Sequence, residues 1–111
     1  MTRPDLDLTL TVIARCAAEL WASAPSKPLE SRALAVAHYA SQGLTSLGVT
    51  ALVGLTPPRH AEALLTLLCQ CQRHLDHYPL TAAWRGALEW ELLTLVEDLT
   101  AHLYGHKRAA A

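Results

Sequence analysis

The sequence predicts an all-α, single-domain, four-helix bundle-like fold with up-down antiparallel helices. Three observations lead there. Apolar residues recur at alternating spacings of three and four, the period of an amphipathic helix. Prolines break the chain into four such segments joined by short links, and short links favour antiparallel neighbours. Apolar residues make up 51% of the 111 positions and charged residues only 17%, with a formal net charge of -1. That composition suits one packed core, excludes a disordered chain, and lacks the basic face that nucleic-acid binding requires.

The first helix is expected over about 6–23. Leu6, Leu10, Ile13, Ala17, Leu20 and Ala24 form its seam, with Asp5 as N-cap and Thr11, Arg15 and Glu19 as the wet face. The opening Asp-Leu-Asp-Leu-Thr-Leu-Thr also alternates with period two, so a short strand is the minor alternative. Arg15 and Glu19 interrupt the apolar run and Asp5 and Asp7 precede it, which speaks against a secretory signal.

The second helix is expected over about 28–55, with Pro28 in its first turn and a break near Gly48. Its seam, Leu29, Ala33, Val36, Ala40, Gly43 and Leu47, is rich in small residues that let a neighbour come close. Positions 33–58 contain no Asp, Glu, Lys or Arg, enough to span a bilayer. The His, Gln, Ser, Thr and Gly in that stretch point instead to a helix buried inside the protein, with no membrane association.

The third helix is expected over 57–78, with Thr56 as cap, Pro57 and Pro58 in the first turn, and a seam of Leu64, Leu68, Cys71, Leu75 and Tyr78. The fourth is expected over 81–104, capped by Thr81 and stopped by Gly105, leaving 105–111 as a frayed tail. Its core seam is Trp84, Leu88, Leu92, Leu95, Leu99 and Leu103. A second stripe, Gly86, Trp90, Leu93, Ala101 and Tyr104, interrupted by Glu97, runs roughly opposite. A surface helix needs one apolar stripe, and exposed Trp and Tyr are enriched where one protein meets another. Leu34 and Leu52 lie off the seam of the second helix and add to the apolar surplus.

Chemistry-bearing patterns are sparse. His102 and His106 stand four apart with Asp98 one turn earlier, and a hairpin of the last two helices brings His60 to their end of the bundle. These four are the candidate metal ligands of an alternative reading, a metal-binding helical bundle. Cys71, His74 and His77 do not match the paired spacing of small zinc sites. No phosphate-binding glycine loop, nucleophile elbow, zincin motif or Glu-x-x-His pair occurs, so neither an enzyme nor a cofactor is expected. Three cysteines, an odd number, suit reduced thiols in a cytoplasm. The Ala, Leu and Arg bias suits a GC-rich, bacterial genome.

The function expected from the residues is a protein–protein interaction module acting through Trp90, Leu93, Tyr104, Gly86, Ala101, Leu34 and Leu52. Its partner is another protein, a second copy, or both. A small bacterial regulator that inhibits or sequesters its target fits this reading, for example an anti-activator covering the dimerisation surface of a transcription factor. A secretion chaperone or adaptor is the second alternative.

Overall fold

A computed structural model of the chain describes residues 3–49, 55–77 and 82–110, with side chains described from Leu6 to Gly105 within those ranges. Four helices form: α1 (Arg3–Ser23), α2 (Lys27–Ser46), α3 (Ala61–Leu75) and α4 (Ala83–Ala110). The described residues include no strand, so the period-two opening is helical, and Asp5 lies inside α1 rather than capping it. No helix among them is long and apolar enough to cross a membrane.

Local chemistry sets the ends of α2. The Ser26 side chain accepts from the Leu29 amide at the N-terminus, and proline occupies the first turn. At the C-terminus Gly48 takes φ +74°, the left-handed region that favours glycine. Val49 N–H then donates to the Leu44 carbonyl and Gly48 N–H to the Thr45 carbonyl, which closes the helix in a Schellman motif. The break expected near Gly48 therefore lies there. Thr50 to Gly54, and with them Leu52 and any second short helix, lie outside the described residues.

Several boundaries differ from expectation: α1 starts earlier, at Arg3, and α3 ends earlier, at Leu75. Helix α3 begins at Ala61, not at Pro57, and His60 precedes it without a side-chain cap bond. A residue before proline is driven out of the α region, so Pro58 holds Pro57, and Pro57 holds Thr56, in extended backbone. Helix α4 passes through Gly105 without a left-handed turn and continues to Ala110. Thr81 and Tyr78 lie outside the described residues.

The chain order around the bundle also departs from a simple up-down-up-down path. Helix α1 packs on α2 and α3, and α4 packs on α2 and α3, so α1 and α4 are diagonal, as are α2 and α3. Arg32, early in α2, reaches Glu91 and Asp98 of α4, while Gly43, late in α2, meets Trp84 at the start of α4. Glu62, early in α3, meets Tyr104 late in α4, and Leu75, late in α3, meets Arg85 early in α4. Both α2 and α3 thus run antiparallel to α4 and parallel to each other. The link between them must return along the bundle, which fourteen residues accomplish with length to spare. Part of that link lies over α1, where Leu55, Thr56 and Pro57 border Val12, Arg15 and Cys16. The expected wet face of α1 is partly covered: Thr11 is fully buried and Arg15 and Glu19 are half-buried.

The core is a single cluster drawn from all four seams, including Leu10, Ile13, Val36, Leu68, Leu92 and Leu95. At one end the Trp84 ring packs against the backbone of Gly43. A Cβ built at Gly43 would come within 2.6 Å of that ring, whereas one built at Gly86 meets nothing within 4 Å. Gly43→Ala is therefore expected to destabilise the fold by about 1–3 kcal/mol through overpacking, despite better helix propensity. Gly86→Ala should be neutral or stabilising by up to about 1 kcal/mol. Urea unfolding of the two variants beside the parent chain checks this contrast.

Candidate functional site

The first turns of α4 are pinned from two sides. On one, Trp84 packs on Gly43. On the other, Arg85 is buried, 4% exposed, although the sequence offers no obvious reason to bury a cation there. Its guanidinium donates to the Leu75 carbonyl at the end of α3 and pairs with Glu89 one turn along α4 at 2.8 Å. The last carbonyls of a helix have no intrahelical partner and carry the negative end of its dipole, so a cation is favoured at that place. Arg85 thus caps α3 and sets the register of α3 against α4. The signal that could have revealed it is the pair Arg85/Glu89 at i, i+4, with Arg85 adjoining the core residue Trp84.

At the other end of the α3–α4 pair, Tyr104 Oη donates to Glu62 Oε2 at 2.8 Å. This hydrogen bond to the carboxylate, with lesser contributions from burial and from the carboxylate charge, raises the Tyr104 pKa. The face between these two ties carries the second stripe. Trp90 is 64% exposed, and Leu93, Tyr104, Gly86 and Ala101 are exposed as well. Beside Trp90 a groove of about 440 Å³ opens between the two helices, bordered by Gln72, Arg73 and Asp76 on α3 and by Gly86 and Leu93 on α4. Trp90, Leu93 and Gly86 thus share one surface whose floor is the apolar seam at Leu75 and Leu92.

Leu34 is exposed but stands apart. It lies roughly 180° around α2 from Gly43, which marks the α4 side. It borders a separate shallow depression with Ser31, Ala35, His38 and Tyr39. Leu8 and Trp21, both on α1, are also exposed, and the sequence reading did not single them out. Single exposed apolar side chains are ordinary on a protein surface. The α4 stripe differs because three of its members, Gly86, Trp90 and Leu93, border one groove.

The candidate metal ligands do not come together. Asp98 turns to α2, where its carboxylate lies 3.5 Å from Arg32 Nε, and Arg32 also bonds Glu91 at 3.1 Å. His60 and His102 are exposed, and the His106 side chain lies outside the described residues. Among the described residues no group of three His, Cys, Asp or Glu side chains could hold a metal ion. Cys71 points into the core while His74 and His77 face solvent. Comparison with family models, with characterised proteins and with solved structures finds no match to this chain.

Two predictions follow from the buried groups. Arg85→Met keeps the packed stem but leaves the Leu75 carbonyl without its donor, and should cost about 1–3 kcal/mol in urea unfolding. The second concerns the thiols. Burial pushes the Cys16 thiol up to about 11, and burial with the adjacent Cys16 pushes Cys71 up to about 12, from an ordinary 9.0. Both should resist alkylation at pH 8 in the folded chain, while half-buried Cys69 reacts first. A raised thiol pKa stabilises the fold fully below pH 9.0, and that contribution fades as pH rises towards 11–12. Mass spectrometry of alkylated native and unfolded chains reads the reactivity order, and urea midpoints at pH 8 and pH 11 read the linkage.

Proposed function

We propose that this chain is a non-enzymatic interaction module that lays the α3-flanked outer face of α4 against another protein. The observation that carries this reading is Trp90, a large ring 64% exposed that borders an open groove together with Leu93. Leaving such a ring in water forgoes burial free energy that a partner would recover, and buried Trp is a frequent binding hot spot. Arg85 and Trp84 fix the helix beneath it, so the face is presented on a rigid element and little ordering is needed on binding. The narrower reading, a small regulator that inhibits or sequesters its target by occupying the target's own helical contact surface, follows from the same helix-on-groove mode.

Trp90→Ala separates binding from folding. Its ring contributes little to the core, so helical circular dichroism should be unchanged and the melting temperature should move by no more than a few degrees. Self-association, or capture of a partner by the immobilised chain, should weaken by roughly 30-fold or more. A Trp90→Ala chain that retains all the associations of the parent contradicts the proposal.

A further inference from the structure

We infer that the face around Trp90 takes a different protein, whose apolar contact segment carries a basic side chain at its middle that pairs with Glu97. The inference rests on the interaction reading above and adds the chemistry of the partner.

Glu97 is the one charge in the second stripe of α4, and it stands in the middle of it. At 100° per residue it lies within roughly 40° of Gly86, Trp90, Leu93, Ala101 and Tyr104, and roughly opposite the core seam. Leu93 is one turn before it and Ala101 one turn after, and all three are exposed. A segment that covers Trp90, Leu93 and Ala101 therefore covers the Glu97 carboxylate as well.

The chain supplies no counter-charge at that place. Three and four residues to either side on α4 stand Leu93, Thr94, Thr100 and Ala101, none of them basic. The stretch of α3 from Ala63 to Gln72 contains no charged residue, and Arg32 of α2 is held by Glu91 and Asp98. Glu97 accordingly forms no ion pair among the described residues. The charges along the groove offset one another: Glu89 is paired with Arg85, while Arg73 and Asp76 on the α3 border are opposite in sign. At the Tyr104 end, Glu62 already accepts the tyrosine hydroxyl.

In the free chain the Glu97 carboxylate is hydrated. Beneath a partner it loses that water, and a covered carboxylate without a counter-charge is strongly unfavourable. Charged residues are depleted from the centres of interfaces for this reason. A carboxylate at the centre of the stripe selects an apolar surface with a cation placed to meet it, and turns away neutral and acidic surfaces. A second copy is among those turned away, because a two-fold axis through the middle of the stripe sets Glu97 against Glu97. In the helix-on-groove mode the matching pattern is an arginine or lysine with apolar residues three or four positions before and after it.

The test pans a displayed library of amphipathic helical peptides against the immobilised full chain, after subtraction on the Trp90→Ala chain. Each peptide has a fixed apolar stripe and a randomised middle turn. Peptides selected by the parent should carry arginine or lysine in that turn, and those selected by Glu97→Lys should carry aspartate or glutamate. An arginine-centred peptide should bind Glu97→Gln about thirtyfold more weakly than the parent, with helical circular dichroism unchanged. Trp90-dependent peptides with no basic preference overturn this inference alone. So does a basic preference that persists on Glu97→Lys, since the cation then answers another carboxylate such as Asp76 or Glu89. A parent that forms a Trp90-dependent dimer in sedimentation equilibrium also overturns it, and leaves the interaction reading standing. If the library yields no Trp90-dependent peptide, the interaction reading itself fails and this inference with it.

Discussion

The bond from Arg85 to the last carbonyl of α3 governs what the rest of this molecule can present. It fixes where α4 begins relative to where α3 ends, and a shift of one residue along α4 turns its side chains by roughly 100°. The core seam from Trp84 to Leu99 and the outer stripe from Gly86 to Tyr104 lie on the same helix. The register that buries the first therefore exposes the second. A guanidinium suits the task because it stays charged while buried and offers several donors, here used on the carbonyl and on Glu89. Its position at the negative end of the α3 dipole offsets part of its desolvation.

Trp84 on Gly43 performs the corresponding task against α2. The ring can lie there only because position 43 has no side chain, so a helix-weakening glycine is retained where a flat aromatic needs the backbone. Arg32 spans from α2 to Glu91 and Asp98 farther along, but that pairing is partly exposed and adds little stability. With both flanks of its N-terminal turns held, α4 is stiff where Trp90 and Leu93 emerge. The proposed docking face is thus a consequence of packing on the other side of the same helix.

Much of this was legible in the sequence, and the gaps have physical causes. Helical seams can be read from spacing because burial selects apolar residues one turn apart, so most core positions of all four helices were recovered. Pro28 marked the start of α2 and Gly48 marked its end, because each residue does something at that place that few others can, whereas the Ser26 cap went unread. The start of α3 was misplaced because Thr56-Pro57-Pro58 resembles a cap and first turn when the tertiary path is unknown. The parallel run of α2 and α3 requires that stretch to stay extended along α1. The same crossing lies against Val12, Arg15 and Cys16, on a side of α1 that spacing alone would leave to solvent. Arg85 escaped notice because a lone arginine reads as solvent-facing, and its acceptor is a backbone carbonyl, which no side-chain pattern announces. The exposed stripe on α4 was legible, whereas the groove beside it required the packing of α3 on α4.

The central claim is that the α4 face around Trp90 is the docking face while other exposed surface stays free. The chain contains three tryptophans that serve as internal reporters: Trp90 on the stripe, Trp21 exposed on α1, and Trp84 buried against Gly43. The most direct measurement follows their three indole N–H resonances by NMR as an arginine-centred peptide is added. The account predicts that the Trp90 signal moves with the extent of association while those of Trp21 and Trp84 hold still. A Trp90 resonance that stays fixed while the chain associates, or while Trp21 moves instead, would contradict it.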